Sequence, residues 1–319
     1  MTINNYSLDV VIPCYNEEDT IPHTIPQLSS FLEGLSKTAD IKMNSFKLIL
    51  VDDGSKDTTW QLIEKLAASH PIQGVKLSRN YGHQNAMLAG LSKSVSEVVL
   101  TIDADLQDDL NAITDMLTAY QAGAELALGV RSSRGNDTAF KRNTAIIYYK
   151  IMKALGVNII EDHADFRLMS RKSLNALLDH EEFNLFLRGI IPSIGFPTSI
   201  IHYERQDREH GETKYTLRKM LSLAINGITS FSVAPLRLVT ALGLVVSVFA
   251  FLTALWAILI RTLYFGHAVP GWASTILPIL FLGGIQLLSL GIIGEYVGKI
   301  YLEVKKRPRF IVEKILDRR

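Results

Sequence analysis

The sequence predicts an α/β domain with a mostly parallel sheet, followed by a two-helix transmembrane hairpin. Through residue 212, apolar runs of strand length alternate with helical stretches, the pattern of a sheet covered on both faces. Beyond Pro235 come two long stretches free of charge, and basic residues flank them unevenly.

Leu8–Pro13, Phe46–Val51, Val75–Leu77 and Val98–Ile102 are apolar and rich in branched side chains, which suits buried strands. Between them Glu17–Leu35, Thr58–Ser69, His83–Ser94 and Leu110–Ala122 read as helices. Leu238–Ile260 carries no charge over 23 residues. As a helix rising ~1.5 Å per residue it reaches roughly 35 Å, enough for a hydrocarbon core of about 30 Å. Ala268–Gly294 is a second such stretch, and Gly283, Gly284, Gly291 and Gly294 suit close helix packing.

Lys214, Arg218, Lys219 and Arg237 precede the first stretch, and Lys299, Lys305, Lys306, Arg307, Arg309, Lys314, Arg318 and Arg319 follow the second. The loop between holds one arginine, Arg261, and one histidine. The positive-inside rule then places both termini in the cytoplasm. Two amphipathic segments, 137–155 and 214–232, carry basic residues beside an apolar stripe and read as membrane-interface helices. The expected organisation is a catalytic domain over 1–212, an interface helix over 213–234, two spans over 235–298 and a basic cytoplasmic tail over 299–319.

Composition narrows the function. Lys+Arg number 33 against 32 Asp+Glu, which excludes the basic excess of a nucleic-acid-coating protein. An apolar share of 48% with 20% charged residues excludes intrinsic disorder. The single cysteine, Cys14, excludes an intramolecular disulfide framework and a cysteine-based zinc cluster. No basic segment precedes an apolar run at the N-terminus, so no cleavable signal peptide is expected.

The chemistry sits at the strand ends, where open α/β sheets bind ligands. Glu17-Glu18 follows the first strand, Asp52-Asp53 ends the second, and Asp103-Ala104-Asp105-Leu106-Gln107-Asp108 follows the fourth. Any one acid there is explained as a helix cap. Three acidic loops on one rim repel unless a cation or donors compensate. Their oxygen ligands suit Mg²⁺ or Mn²⁺ over zinc. No Gly-x-x-x-x-Gly-Lys-Ser/Thr or Gly-x-Gly-x-x-Gly motif is present.

The blocks Val10–Glu18, Val51-Asp52-Asp53-Gly54-Ser55 and Asp103–Gln107 resemble the signatures of inverting GT-A glycosyltransferases of family 2. Arg79-Asn80-Tyr81-Gly82-His83, Asp165-Phe166-Arg167-Leu168-Met169, Arg208–Lys214 and Gly294-Glu295-Tyr296-Val297-Gly298 narrow the resemblance to polyprenyl-phosphate glycosyltransferases. This implies a Rossmann-like GT-A domain that transfers one sugar from a UDP-sugar to undecaprenyl phosphate. The implied sugar is glucose first and N-acetylglucosamine second.

Residue by residue, the resemblance implies that Pro13, Tyr15, Glu17, Asp53 and Asp103 line the nucleotide pocket. Asp103, Asp105 and Gln107 would hold Mg²⁺ or Mn²⁺ on the diphosphate. Arg131 and Arg142 would meet the lipid phosphate, and Arg208 and Lys214 would sit in a mobile acceptor loop. Asp165 would be a catalytic base or would orient Arg167; a purely structural pair with Arg167 is its plain alternative. His83 and His210 are given no catalytic part. The serine that helps hold the lipid phosphate in the family has no counterpart after Arg142. The resemblance further implies an inner- or plasma-membrane location, a homo-oligomer (a tetramer), and a separate flippase and downstream glycosyltransferase acting on the product. The rival readings are a processive polysaccharide synthase, against which the missing Gln-x-x-Arg-Trp block and the small number of spans weigh, and a non-catalytic membrane scaffold.

Overall fold

The computed structural model describes residues 5–132, 160, 163–182, 187–204, 234–263 and 272–317. In chain order the elements are β1 Tyr6–Cys14, α1 Ile21–Ser36, β2 Met43–Asp52, α2 Thr59–Leu66, β3 Ile72–Leu77, α3 His83–Leu91, β4 Val98–Thr101, α4 Asn111–Gln121 and β5 Leu126–Arg131. They continue with β6 His163–Ser170, α5 Arg171–Leu178, α6 Leu187–Ser193, β7 Thr198–Tyr203, α7 Ala234–Leu263, α8 Trp272–Lys305 and β8 Val312–Leu316.

All eight of these strands form one sheet in the order β7-β5-β6-β4-β1-β2-β3-β8. Its centre is parallel: β1 pairs with β2 and β4, and β2 with β3. Six of the eight strands run the same way, in keeping with the mostly parallel expectation, and the reversed β6 and β8 make the sheet mixed. β6 runs antiparallel to both β4 and β5, and β8 runs antiparallel to β3. β6 therefore brings its first residues to the rim where the parallel strands end, and this reversal supplies the site with Asp165.

The core forms where the sequence alternates correctly. Ile21, Ile25, Leu28 and Leu32 recur at helical spacing on α1 and are all buried against the sheet. Leu8, Val10 and Ile12 of β1 face the same core. At about 25 cal/mol per Å², each fully buried side chain of this kind contributes about 1.5–3 kcal/mol. Helix α3 approaches the opposite face so closely that a Cβ at Gly90 would lie 2.4 Å from Val11 Cγ1 and 2.8 Å from Val51 Cγ2. Gly90→Ala is expected to destabilise the domain by about 1–3 kcal/mol through overpacking, read as a lower urea midpoint with an unchanged m-value.

The segment expected as a basic tail has structure. α8 continues to Lys305, and Val312–Leu316 is an edge strand of the catalytic sheet. Helices α7 and α8 each contain a stretch long and apolar enough to cross a membrane, Pro235–Thr253 and Phe281–Lys305. Phe249, Phe251, Trp256, Phe281 and Leu287 stand exposed on them. The amphipathic segments at 137–155 and 214–232 lie outside the described residues, as do Arg142, Arg208, His210 and Lys214.

Candidate active site

The loops after β1 and β2 are stitched to each other by side chains. The Asn16 N–H donates to Ser55 Oγ at 3.0 Å, the Lys56 N–H to Asn16 Oδ1 at 2.9 Å, and the Glu17 N–H to Thr59 Oγ1 at 2.9 Å. Asn16 takes a left-handed φ of 53°, a conformation its short amide side chain tolerates. Tyr15 stands out at 42% exposure, while Pro13 lies inside β1. Asp52 accepts the Ser55 N–H at 2.9 Å.

Asp53 is buried, and both of its carboxylate oxygens accept main-chain donors. The Tyr81 N–H reaches Oδ1 at 2.7 Å and the Gly82 N–H reaches Oδ2 at 2.9 Å. Burial raises its pKa, and the Tyr81 and Gly82 amides oppose that rise. Asp53 thus ties the β2 end to the turn that opens α3.

Asp103, Asp105 and Gln107 lie on the loop after β4. The Gln107 N–H points at Asp105 Oδ1 from 3.4 Å, and Leu106 between them has φ 44°. Gln107 is buried, and its Nε2 has no hydrogen-bond partner among the described residues. Asp103 Oδ1 is shielded from solvent and accepts no hydrogen bond from the described residues, while the side chain as a whole keeps 34% exposure. Burial pushes the Asp103 carboxyl up, His83 counters this, and the charges of Asp165 and Asp105 add to the rise. This is the electrostatic signature of a place that a cation would relieve.

β6 delivers the second half of the site. Its pairing with β5 jumps from Leu128–Arg167 to Val130–His163, an irregularity that re-aims the residues between. Gly129 makes this possible, because a Cβ there would meet the Phe166 carbonyl oxygen at 2.9 Å. Thr101 Oγ1 donates to the Asp165 carbonyl at 2.6 Å and pins the start of β6 to β4. His163, Asp165 and Arg167 are all buried polar residues at every second position.

Asp165 is the hub. Fully buried Arg167 donates to its Oδ1. Arg188, from α6, forks onto both oxygens, with Nε to Oδ1 at 3.3 Å and Nη2 to Oδ2 at 2.8 Å. His83 Nε2 lies 3.5 Å from Asp165 Oδ2 and 3.5 Å from Asp103 Oδ1, so it joins the two acids. Burial works against ionisation of Asp165, but Arg167, Arg188 and their hydrogen bonds outweigh it and hold the carboxyl well below the usual range. For His83, burial opposes protonation, yet Asp165 and Asp103 raise its pKa. His163 is buried, and neither ring nitrogen is hydrogen-bonded among the described residues; burial, Arg167 and Arg188 push its pKa down to about 3.

With its folded pKa depressed, the native state holds the His163 ring neutral, while the unfolded chain binds a proton below about 6.5. Stability is then lost as pH falls from about 6.5 toward about 3, by at most about 1.4 kcal/mol per pH unit. His163→Leu is expected to flatten that loss, measured as urea midpoints at pH 7 and pH 5. Equal slopes in the two proteins would contradict it.

Arg131, at the end of β5, faces Asp108 at 3.9 Å, and Tyr203 donates its hydroxyl to the same carboxylate at 2.5 Å. The charge of Arg188 acts on Asp103, Arg131, Arg167 and His83 alike. The structure therefore brings Asp103, Asp165 and the neighbourhood of Asp105 and Gln107 into one electrostatic unit, with Arg131 at its border. Sequence reasoning missed Arg188 and Asp108 and left His83 unassigned. Asp108 was visible as part of the acidic loop. Arg188 had no local signal, because its meaning comes only from Asp165. Among the described residues no three His, Cys, Asp or Glu side chains converge as a ready-made metal cage. Asp103 and Asp105 place two carboxylates on this one loop, two residues apart.

A carboxylate rim at the ends of parallel strands, backed by buried Arg167 and part-exposed Arg188, lies where open α/β sheets bind ligands. Residues 9–178 match the family model described as glycosyl transferase family 2. A Bacillus subtilis (strain 168) protein named uncharacterized glycosyltransferase YkoT is 48% identical over 309 residues, covering 96% of this chain and 91% of that one. The prophage bactoprenol glucosyl transferase homolog of Escherichia coli (strain K12) is 39% identical, covering 97% of this chain and 99% of its own. The bactoprenol glucosyl transferase of Shigella phage SfII is 40% identical over 96% of this chain and 97% of its own. The chain belongs to glycosyltransferase family 2. It is a glycosyltransferase with the GT-A α/β fold.

Proposed function

We propose that this enzyme transfers glucose from UDP-glucose to undecaprenyl phosphate with inversion at the anomeric carbon, at the cytoplasmic face of the bacterial inner or plasma membrane. The relatives named bactoprenol glucosyl transferase, alike over nearly the full length of both chains, carry this reading.

The site chemistry supports it. The acceptor phosphate has a second pKa near 6 and is largely dianionic at pH 7, so it attacks without a strong general base. The obstacle is bringing anions together, since like unit charges at 4 Å repel by about 4 kcal/mol at an effective dielectric near 20. Arg131 and Arg188 are the described cations that offset this repulsion, and Arg142, Arg208 and Lys214 complete the acceptor side. Asp165 keeps Arg188 and His83 in place and acts as a positioning residue, because a carboxylate shared by two arginines has little affinity for a proton. Pro13, Tyr15, Glu17 and Asp53 frame the nucleotide. Asp103, Asp105 and Gln107 would hold Mg²⁺ or Mn²⁺, which stabilises the departing diphosphate as a Lewis acid.

The membrane assignment has its own support. The sheet contains both β1–β7, which precede the two apolar helices, and β8, which follows them. A strand cannot pair across a bilayer, so the chain between must cross an even number of times. Two crossings by α7 and α8 satisfy this and put the catalytic domain and both termini on the side rich in Lys and Arg. Two crossings do not make a flippase, so a separate membrane protein moves the product, and a further transferase uses it. Self-association as a tetramer belongs to the same proposal.

A donor panel tests the sugar. With undecaprenyl phosphate and Mn²⁺, UDP-glucose is expected to exceed UDP-N-acetylglucosamine, UDP-galactose and GDP-mannose in kcat/KM. A preference for any other donor would replace glucose in this reading and leave the acceptor assignment standing.

A further inference from the structure

The strand β8 returns to the catalytic sheet immediately after the second apolar helix, and its place there has a consequence for the site. It pairs with β3 through Gly74–Leu316, Val75–Ile315, Lys76–Lys314 and Leu77–Val312. The pairing runs one residue past the end of β3, where the Ser78 N–H donates to the Ile311 carbonyl at 3.0 Å. Side chains hold the same edge. Lys314 Nζ reaches Glu64 Oε1 at 2.7 Å, and Trp60 donates its Nε1–H to that same oxygen at 2.8 Å. Lys76 pairs with Glu313 at 3.1 Å, and Arg309 Nη2 donates to the His180 carbonyl at 2.5 Å.

Ser78 is the first residue of the segment that reaches Asp53. Three residues on, the Tyr81 and Gly82 N–H groups donate to the two Asp53 oxygens. Between them Arg79 and Asn80 lie against Gly54, where a Cβ would be 2.4 Å from the Arg79 carbonyl carbon and 2.6 Å from the Asn80 nitrogen. Gly54 has φ +66°, so glycine serves both the turn and the close approach. Within the segment, the Ser78 and Tyr81 hydroxyls lie 3.1 Å apart and the Arg79 guanidinium stacks 4.4 Å from the Tyr81 ring centre. Segment 78–82 is thus fixed at its far end by Asp53 and at its near end by β8. Without β8, β3 becomes an edge strand and the near end loses its main-chain partner.

We propose that β8 is a positioning element of the donor pocket: the chain that returns from the second apolar helix fastens residues 78–82, and through them the β2 rim at Asp53 and Gly54. The inference rests on reading that rim as the nucleotide pocket. It makes residues 307–316 part of the catalytic domain in function as well as in topology, and it links the last membrane element to donor binding by six residues of chain, 306–311.

The test uses the full-length protein in detergent or nanodiscs. UDP binding with Mn²⁺ is measured by calorimetry, and main-chain amide exchange by mass spectrometry, for wild type, a truncation after Phe310, and Lys314→Ala. The truncation is expected to weaken UDP binding about tenfold or more, the scale of one charge-assisted hydrogen bond. Lys314→Ala removes an exposed pair and is expected to weaken UDP by about two- to fivefold. Amides 78–82 should exchange faster in both, those of β1 and β4 should not, and KM for the polyprenyl phosphate should stay within about twofold. If the truncation loses protection everywhere, Lys314→Ala alone decides. Unchanged exchange at 78–82, or faster exchange there with unchanged UDP affinity, overturns the proposal. Exchange is read without nucleotide, so the role of the strand is decided even if wild type binds no UDP. That last result would refute the pocket assignment instead.

Discussion

Asp105→Ala in the full-length enzyme is expected to lower kcat/KM for sugar transfer by about 10²–10³, the scale on which loss of a transition-state charge stabiliser acts. Asp105 shares its loop with Asp103, whose buried Oδ1 has no hydrogen-bond partner among the described residues and whose carboxyl is raised by burial and by neighbouring acids. A divalent cation held there, as proposed, would offset clustered negative charge before it did any chemistry. Removing Asp105 should therefore also weaken Mn²⁺-dependent UDP binding, while metal-independent folding should persist or improve, because one member of a repelling cluster is gone. Full activity of the Asp105→Ala protein with metal present would remove Asp105 from the metal site.

Asp165→Asn should act differently, on stability and activity together. Its carboxylate neutralises Arg167, a fully buried guanidinium, and orients Arg188. Breaking a buried pair by neutralising one partner costs about 3–5 kcal/mol, because the other charge is left uncompensated. In a domain of this size that corresponds to a Tm lower by about 10 °C. Asp165→Asn combined with Arg167→Met should recover much of the stability, since neither charge then remains unpaired, yet not the activity. Asp165 has a folded pKa below its unfolded value, so its contribution is present above about pH 4 and is lost as pH falls through the depressed folded value. Because Asp165 also raises the His83 pKa, the gap between wild type and Asp165→Asn should narrow as pH rises through the His83 transition, and with His83→Gln in both proteins it should be flat from about pH 8 to about pH 5. A gap that varied across that window with His83→Gln in both proteins would mean that Asp165 titrates near neutrality, as a general base would.

The two halves of the site differ in how much of them the sequence exposes. β1 to β4 and the helices between them are written locally: a short apolar run, then an acid or turn residue, then a helical stripe. The loops bearing Asp53, Asp103 and Asp105 are legible for the same reason. The two long apolar helices are legible because charge is absent from them. β6 hides itself. His163, Asp165 and Arg167 alternate with Ala164, Phe166 and Leu168 as though one face met solvent, whereas every residue of the strand is buried around an ion network. Only pairing with β4 and β5, distant in sequence, shows that the polar face points into a site. Arg188 acquires its role through Asp165 in the same non-local way. β8 reads as a charged tail because Glu313 and Lys314 look solvent-directed, and they are; what makes the segment a strand is the open edge of β3 more than two hundred residues earlier.

One measurement reaches the central reaction most directly. Purified protein in lipid is supplied with radiolabelled UDP-glucose, undecaprenyl phosphate and Mn²⁺, and the label is partitioned between water and organic solvent. Label is expected to enter the organic phase as a single-sugar, acid-labile lipid, only when the polyprenyl phosphate is present. Label that stays in water with every nucleotide sugar offered, or that appears as long polymer, contradicts the account.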